Sequence, residues 1–93
     1  MIVGFRDADA ELLWKTGKSY RIPANIRKSA FRKLAILNAA LQLSNLTVPP
    51  GNHLEKLTGN RAGQHSIRIK DQFRICFRWR DGNAYDLEIV DYH

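Results

Sequence analysis

The sequence predicts an α+β domain in which two N-terminal helices pack on a small antiparallel sheet. The first half of the 93-residue chain carries apolar residues at helical spacing, whereas the last third alternates apolar and polar residues. A Pro/Gly-rich loop at residues 49–52 separates these two parts. A chain of this length is expected to form one domain, residues 1–93, with one modest hydrophobic core.

The N-terminal part is predicted to contain a short strand and two helices. Residues 2–5 form the strand. Asp7 or Asp9 can cap the first helix, and Gly17 follows its end in the position that favours a left-handed residue. The second helix is predicted to begin at residues 21–23, because proline is tolerated in a first turn. Its apolar stripe consists of Ile26, Ala30, Leu34, Leu37 and Leu41.

The C-terminal third is predicted to be a three-stranded antiparallel meander at residues 64–69, 73–80 and 84–90. The alternation in each strand indicates a sheet with one buried face and one polar face. The buried face is expected to carry Ile67, Ile69, Phe73, Ile75, Phe77, Trp79, Tyr85, Leu87 and Ile89. The polar face is expected to carry Cys76 and the arginines Arg68, Arg74, Arg78 and Arg80.

Face parity also predicts the hairpin loops. The pair Asp81-Gly82 resembles a two-residue turn, but that turn would mix the faces, because a one-residue shift reverses every side chain. Three-residue loops at 81–83 and 70–72 are therefore predicted. They pair Arg80 with Ala84, Arg78 with Asp86, Cys76 with Glu88, Arg74 with Val90, and Arg68 with Arg74. Arg68 and Arg74 then lie side by side without an acidic partner, which is unfavourable and indicates an anion site.

Composition favours an anionic partner and excludes several classes of protein. Fifteen Lys and Arg residues against nine Asp and Glu give a net charge of +6, which suits nucleic acid, although a solvated surface explains it equally well. Cys76 is the only cysteine, so a disulfide and a cysteine zinc site are excluded, and a reducing cytoplasm is expected. Three scattered histidines predict no metal site, and no apolar run predicts a signal peptide or membrane span.

Several basic and polar residues allow two interpretations. The cationic face of the second helix is either solvated or in contact with RNA phosphate. It consists of Arg27, Lys28, Arg32 and Lys33. His53 is expected in a surface loop, and His65 is expected to be half-buried beside Ile67. Cys76 is interpreted as a small strand residue and not as a nucleophile.

The last strand runs into Asp91-Tyr92-His93, and Arg74 lies on its neighbour. RNA cleavage by 2′-hydroxyl attack needs a base, an acid and positive charge on the transition state. Histidine can be acid or base, arginine binds phosphate with a forked pair of donors, and tyrosine can orient, donate or stack. Arg74, Tyr92 and His93 cover these roles without a metal ion or another cofactor. Each residue alone is more readily explained as an ordinary strand or terminal residue.

The chain resembles the HigB toxins (host-inhibition or plasmid-maintenance killer proteins) of the RelE superfamily. The specific part of the resemblance is Gly59-Asn60-Arg61-x-Gly63-x-x-Ser66-Ile67-Arg68 followed by Asp91-Tyr92-His93. The resemblance as a whole spans almost the entire chain and implies a compact RelE-like RNase fold. It also implies a type II toxin that cleaves mRNA in the ribosomal A site and thereby inhibits translation. The implied partner is a HigA-like helix-turn-helix antitoxin, through which the toxin would reach operator DNA.

The resemblance also implies site residues. The family's catalytic residues match Arg74, Tyr92 and His93, and Lys56, Arg61 and Arg68 are candidates for holding RNA. Two positions depart from the family pattern, because Thr58 and Glu55 stand where several relatives carry Lys and His. Two rival functions are a non-catalytic basic module that blocks translation by occupying the ribosome or nucleic acid, and a protein that binds an acidic partner. Occupancy needs positive charge but does not need Tyr92 and His93.

Overall fold

The computed structural model describes residues 1–92 and confirms the predicted α+β fold. Helix α1 spans Ala8–Thr16 and helix α2 spans Ala24–Ala39. A four-stranded antiparallel sheet has the order β1-β2-β3-β4. Its strands are β1 (Glu55–Lys56), β2 (His65–Lys70), β3 (Phe73–Arg80) and β4 (Asn83–Asp91). None of the helices in this described part is long and apolar enough to cross a membrane.

Helix α1 begins and ends where its capping residues predict. The Asp7 carboxylate accepts a hydrogen bond from the backbone N–H of Asp9 at 2.9 Å, which satisfies a free donor of the first turn. Gly17 ends the helix with φ of 78° and donates its N–H to the Leu13 carbonyl at 2.8 Å. The second oxygen of Asp7 accepts from the Ile89 N–H at 3.2 Å. One carboxylate therefore caps α1 and ties it to β4.

The apolar stripe of α2 is buried as predicted, except at its end. Ile26, Ala30, Leu34 and Leu37 have no exposed surface. Leu41 is 80% exposed, so its prediction as a core residue is wrong. The reason is that the helix stops at Ala39, after which Asn45 Oδ1 accepts hydrogen bonds from the N–H groups of Leu41 and Gln42.

Both hairpins differ from the predicted three-residue loops. Asp81 and Gly82 form a two-residue turn with φ of 54° and 78°, and Arg80 pairs with Asn83. Two consecutive positive φ values match the twist of the flanking strands, which is why this turn type is favoured in hairpins. The predicted register, which pairs Arg80 with Ala84 and Arg78 with Asp86, is therefore wrong, although the side chains of Arg78 and Asp86 still form an ion pair at 3.5 Å.

A β-bulge offsets the one-residue shift that the two-residue turn introduces, so the apolar side chains return to the buried face. The register shifts by one residue between Cys76 and Arg78, and Asp86 has φ of 54° on the opposite strand. On the side of the bulge away from the turn, Cys76 pairs with Glu88, and Arg74 pairs with Val90, as predicted. Between the turn and the bulge, Ala84 is buried opposite Trp79, whereas Tyr85 pairs with Arg78 on the polar face. The prediction that Tyr85 lies on the buried face is therefore wrong.

The hairpin between β2 and β3 follows the same plan. Asp71 and Gln72 form its two-residue turn, Lys70 pairs with Phe73, and a register shift precedes Lys70. The predicted pairing of Arg68 with Arg74 is confirmed. Apart from the residues between the Asp81-Gly82 turn and the bulge, the predicted faces are confirmed and the predicted loops are wrong, because a bulge in each hairpin absorbs one residue.

The sequence predicted the two edges of the sheet only in part. Residues 2–5 make two isolated parallel bridges to β4, through Ile2 and Phe5, instead of a regular strand. Strand β1 was not predicted, because two residues are too few to show an alternation. Its register places Glu55 opposite Ser66 and Lys56 opposite His65 on the edge of β2.

The core lies between the helices and one face of the sheet. Leu34 and Leu37 of α2 belong to the same buried cluster as Ile67, Ile75 and Phe77 of the sheet. Neighbouring residues of the strands point to the other face, where Ser66, Arg74 and Cys76 lie. The helices therefore leave the polar face of the sheet uncovered.

His65 should make folding stability depend on pH. Its ring is half-buried and stacks on Phe77 with 6.2 Å between centroids, and Nδ1 is buried without a hydrogen-bond partner among residues 1–92. Burial, with Lys56 as a second cause, lowers its pKa below the usual 6.5. The unfolded chain therefore binds this proton more readily, so stability is lost as pH falls below that value.

We expect the melting temperature to fall from about pH 7.5 to about pH 5.5 more in the wild type than in His65→Phe, which keeps an aromatic ring on Phe77. The control is His53→Gln, because His53 is exposed. Equal losses in the wild type and in His65→Phe would show that carboxylates alone cause the acid sensitivity.

Candidate active site

The uncovered face of the sheet carries a row of polar residues across three strands. Ser66 of β2 pairs with Cys76 of β3, which pairs with Glu88 of β4. Ser66 and Cys76 have no exposed surface, although they lie on the polar face. Longer side chains therefore cover them, and two of these belong to Arg74 and Tyr92.

Arg74 is held in place by fixed acceptors. Its Nε donates to Ser66 Oγ at 2.7 Å, and Nη2 donates to the backbone carbonyl of His53. Its side chain is only 14% exposed. Two nitrogens of the guanidinium are thus oriented by a buried hydroxyl and by the backbone, and the group cannot rotate freely.

The remaining nitrogen of Arg74 faces an acidic side chain that the sequence did not predict at this place. Nη1 lies 3.8 Å from Glu55 Oε1, and the Glu55 side chain is 58% exposed. The expectation that Arg74 has no acidic partner is therefore wrong, because the unpredicted strand β1 supplies one. The contact is long and its carboxylate is solvated, so an incoming phosphate can displace it.

Tyr92 reaches over the sheet toward Cys76. Its backbone N–H donates to the Gln72 carbonyl at 2.8 Å, and its hydroxyl lies 3.8 Å from Cys76 Sγ. Burial, and next the contact with Cys76, raises the pKa of the phenol above its usual 10, while Arg61 and Arg74 act in the opposite direction. The phenol is therefore protonated near neutral pH and can donate a hydrogen bond.

Cys76 is a buried strand residue, as predicted. Burial raises the pKa of its thiol, with the hydrogen bond to Tyr92 as the largest opposing effect. A neutral, fully buried thiol is a poor nucleophile. Its contribution to the site is the surface that supports the Tyr92 hydroxyl.

The three predicted RNA-binding residues differ in their positions. Arg61 donates to the Glu88 carboxylate and, at 3.1 Å, to Gln64 Oε1. Arg68 lies beside Arg74 and donates to the Asp71 carbonyl at 3.3 Å. Both arginines lie on the polar face of the sheet or directly above it.

Lys56 is the exception among these residues. It is exposed and pairs with His65, so the alternation of β1 directs it to the face opposite Ser66 and Arg74. Its neighbour Glu55 occupies the site face instead. The structure therefore gathers Arg61, Arg68, Arg74 and Tyr92, and it does not bring Lys56 to them. His93 lies outside the described residues.

Ser66, Glu55, Gln64 and Glu88 contact the site residues and were missed as parts of the site. The sequence could have predicted Ser66, because it lies two residues from Arg68 and therefore on the same face of a strand that pairs with the strand of Arg74. It could have predicted Glu88 as well, because the predicted pairing of Glu88 with Cys76 puts it on the polar face. It could not have predicted Gln64, because a 3₁₀ turn at Gly59–Arg61 brings Arg61 to it.

The cationic side of α2 is partly engaged within the protein. Arg27 donates to the Ile22 carbonyl at 2.7 Å and lies 5.9 Å above the Tyr20 ring. Lys33 donates to Asn52 Oδ1 at 2.5 Å, and burial lowers its pKa. Lys28 and Arg32 are exposed. Two of the four cations therefore support the local structure.

Comparisons with known proteins agree with this architecture. A family model described as a RelE-like toxin of the type II toxin-antitoxin system HigB matches residues 3–93. Toxin HigB-1 of Vibrio cholerae is 45% identical over 85 residues, which cover 90% of each chain. Endoribonuclease HigB of Proteus vulgaris is 30% identical over 93 residues, the full length of both chains.

The fold and the site define a small basic α+β protein with an arginine-rich sheet face that is open to an anion. The chain belongs to the HigB-like toxin family, and it is therefore a toxin of a type II toxin-antitoxin system with an antitoxin as its partner.

Proposed function

We propose that this toxin inhibits translation by cleaving mRNA in the ribosomal A site, with Arg74, Tyr92 and His93 as its catalytic residues. Endoribonuclease activity is supported by membership of a RelE-like toxin family and by the name of the Proteus vulgaris relative. The observation that supports the location of the site best is the guanidinium of Arg74. It is oriented by Ser66 and His53, and one edge faces only a solvated carboxylate.

Arg74 stabilises the charge that develops on the phosphate during 2′-hydroxyl attack. Such stabilisation is strongest when the donors are oriented before the reaction, because no reorganisation is then needed. Ser66 Oγ and the His53 carbonyl provide this orientation. Binding of the substrate phosphate displaces Glu55 from Nη1.

Tyr92 acts as a hydrogen-bond donor in this mechanism. Its phenol is kept protonated, so it donates to a phosphate oxygen and does not abstract the 2′-hydroxyl proton. His93 follows it directly in the chain. An imidazole near neutral pH can accept a proton in one step and return it in another, which suits the transfers at the 2′-oxygen and the leaving 5′-oxygen.

The proposed partner is a HigA-like helix-turn-helix antitoxin, and the pair would repress their own operon. The proposed A-site location rests on the family resemblance, and the charge of +6 supports binding to ribosomal and messenger RNA. Arg68 and Arg61 flank Arg74 and would hold RNA, although Arg61 must share its donors with Glu88.

Mapping of mRNA 5′ ends tests this function. The toxin is induced briefly in cells, and primer extension on abundant transcripts is expected to show new ends at codon-spaced positions. Purified toxin should produce the same ends in a translation extract and none on free mRNA. Cleavage of free mRNA would overturn ribosome dependence, and arrest of translation without new ends would favour the alternative of binding by occupancy.

Thr58→Lys should make the toxin more active. Thr58 is exposed, precedes the 3₁₀ turn and makes no side-chain cap hydrogen bond, so a lysine can replace it without loss of contacts. Several family members carry lysine there, and a cation near the developing phosphate charge stabilises the transition state more than the ground state. Growth inhibition and mRNA cleavage at matched expression are expected to rise.

The control is Ala39→Lys, which adds the same charge at the exposed end of α2. An equal gain in both variants would assign the effect to net charge, and no gain in Thr58→Lys would show that this turn points away from the phosphate.

A further inference from the structure

A polar cavity of about 330 Å³ opens next to the candidate active site. Its wall contains Arg6, Asn60, Arg61, Gln64 and Glu88. Glu88 is the cross-strand partner of Cys76, and the Cys76 thiol contacts the Tyr92 hydroxyl. The cavity therefore adjoins the place where the proposed mechanism puts the scissile phosphate.

The hydrogen-bonding groups of this wall are only partly used. Arg61 Nη1 donates hydrogen bonds to both Gln64 Oε1 and Glu88 Oε1. Gln64 is only 3% exposed, yet its amide nitrogen has no hydrogen-bond partner among residues 1–92. Within that same range, the second oxygen of Glu88 and the side chains of Arg6 and Asn60 also make no hydrogen bond. Arg6 and Asn60 are exposed, and the Gln64 amide nitrogen is not fully buried, so these groups face the solvent of the cavity and are free to bind a polar ligand.

The chemistry of the wall fits a nucleobase better than a phosphate. The carboxylate of Glu88 repels a phosphate, whereas it accepts a hydrogen bond from an amino group. The Gln64 amide nitrogen and the Arg6 guanidinium lie on the same wall and donate to carbonyl or ring-nitrogen acceptors. A base edge with an amino group beside an acceptor matches this arrangement, and unstacked bases of single-stranded RNA are read in this way.

The position of the cavity fits a base close to the cleaved bond. Arg74 lies two residues from Cys76 on β3, and Cys76 faces Glu88 on β4. Strand geometry then separates the Cα atoms of Arg74 and Glu88 by roughly 8 Å. A phosphate on Arg74 and a base in the cavity can thus belong to the same nucleotide or to adjacent ones.

We propose that this cavity binds one unstacked nucleobase of the RNA next to the cleaved bond and selects bases with an amino group over uracil. Glu88 accepts from the amino group, Gln64 and Arg6 donate to the acceptor beside it, and Arg61 holds Glu88 in place. This inference rests on the proposed RNA cleavage and adds a residue set that determines which sites are cut.

Glu88→Gln tests the proposal, because glutamine keeps the size of the side chain and can donate to a uracil carbonyl. The measurement is sequencing of mRNA 5′ ends after brief induction, with base frequencies counted at each position that flanks the cuts. The wild type should disfavour uracil at one flanking position. Glu88→Gln should raise the relative use of uracil there by roughly tenfold, the ratio expected for one charge-assisted hydrogen bond.

Asp86→Asn is the matched control, because it removes the same charge from the same strand outside the cavity. Asp86 is exposed, pairs with Arg78 at 3.5 Å and has a positive φ that asparagine tolerates. Its base frequencies should equal those of the wild type. Thermal melting checks the fold of each variant. If Glu88→Gln does not fold, Arg6→Ala provides a second readout of base frequencies, because Arg6 donates to the acceptor of the base and its side chain makes no hydrogen bond within residues 1–92 that the substitution would remove.

The outcomes separate this inference from the proposed function. A wild type that makes no cuts overturns both. A wild type that cuts without disfavouring uracil overturns the base cavity and leaves the endoribonuclease intact. Folded variants at Glu88 and Arg6 that cut with unchanged base frequencies have the same consequence. If Glu88→Gln changes the total amount of cleavage at constant base frequencies, the base cavity is likewise overturned. Glu88 would then act only through Arg61 and Tyr92.

Discussion

Arg74→Ala should reduce mRNA cleavage by roughly 10²–10³-fold, the usual loss when one oriented transition-state donor is removed. Ser66 Oγ and the His53 carbonyl orient this guanidinium before substrate binds, so its contribution depends on position as well as charge. Arg74→Lys should therefore restore little activity, because an ammonium group cannot reproduce the forked donors. The measurement is the rate of cleavage of one mRNA in a translation extract.

The matched control for this effect is Arg80→Ala. Arg80 lies at the far end of β3, is exposed, and donates to the Tyr85 hydroxyl at 2.9 Å. Its loss removes one charge from the same strand and should change cleavage only slightly, through screened electrostatics. Equal losses for the two alanine variants would contradict the catalytic role and would favour binding by net charge.

Tyr92→Phe should reduce cleavage by roughly 10- to 100-fold, since one hydrogen bond to a charged group is worth about 1.5–3 kcal/mol. The ring remains, so stacking on RNA and cover over Cys76 are preserved. The lost group is the hydroxyl, which is protonated near neutral pH because the phenol has an ordinary pKa near 10 that its surroundings raise further. Because the hydroxyl acts mainly in the transition state, the maximal rate should fall while the concentration for half-maximal rate stays nearly constant.

Tyr85→Phe is the control for Tyr92→Phe, because it also removes one phenol hydroxyl from β4 or its extension. The Tyr85 hydroxyl contacts Arg80 at the opposite end of the sheet. We expect normal cleavage from this variant. A wild-type rate for Tyr92→Phe would overturn the donor role and would leave stacking as the contribution of the ring.

Local rules in the sequence determined the two helices, the three long strands and most of the faces of this protein. Asp7 and Gly17 cap α1 because a carboxylate satisfies free N–H groups and glycine accepts a left-handed conformation. The period-two pattern placed Ile75 and Phe77 in the core and Arg74 on the polar face, since side chains of a strand alternate whatever its partners are. The HigB-like family was also evident from the residues that carry the resemblance.

Tertiary structure alone decided the contacts of the site. The edge strand brings Glu55 to Arg74, and the 3₁₀ turn places Arg61 on Glu88, so both contacts join segments distant in the chain. Such contacts leave no periodic signal, because they depend on where several elements pack at once. For the same reason, the sequence proposed Lys56 for RNA, and the pairing of β1 directs it away from Arg74.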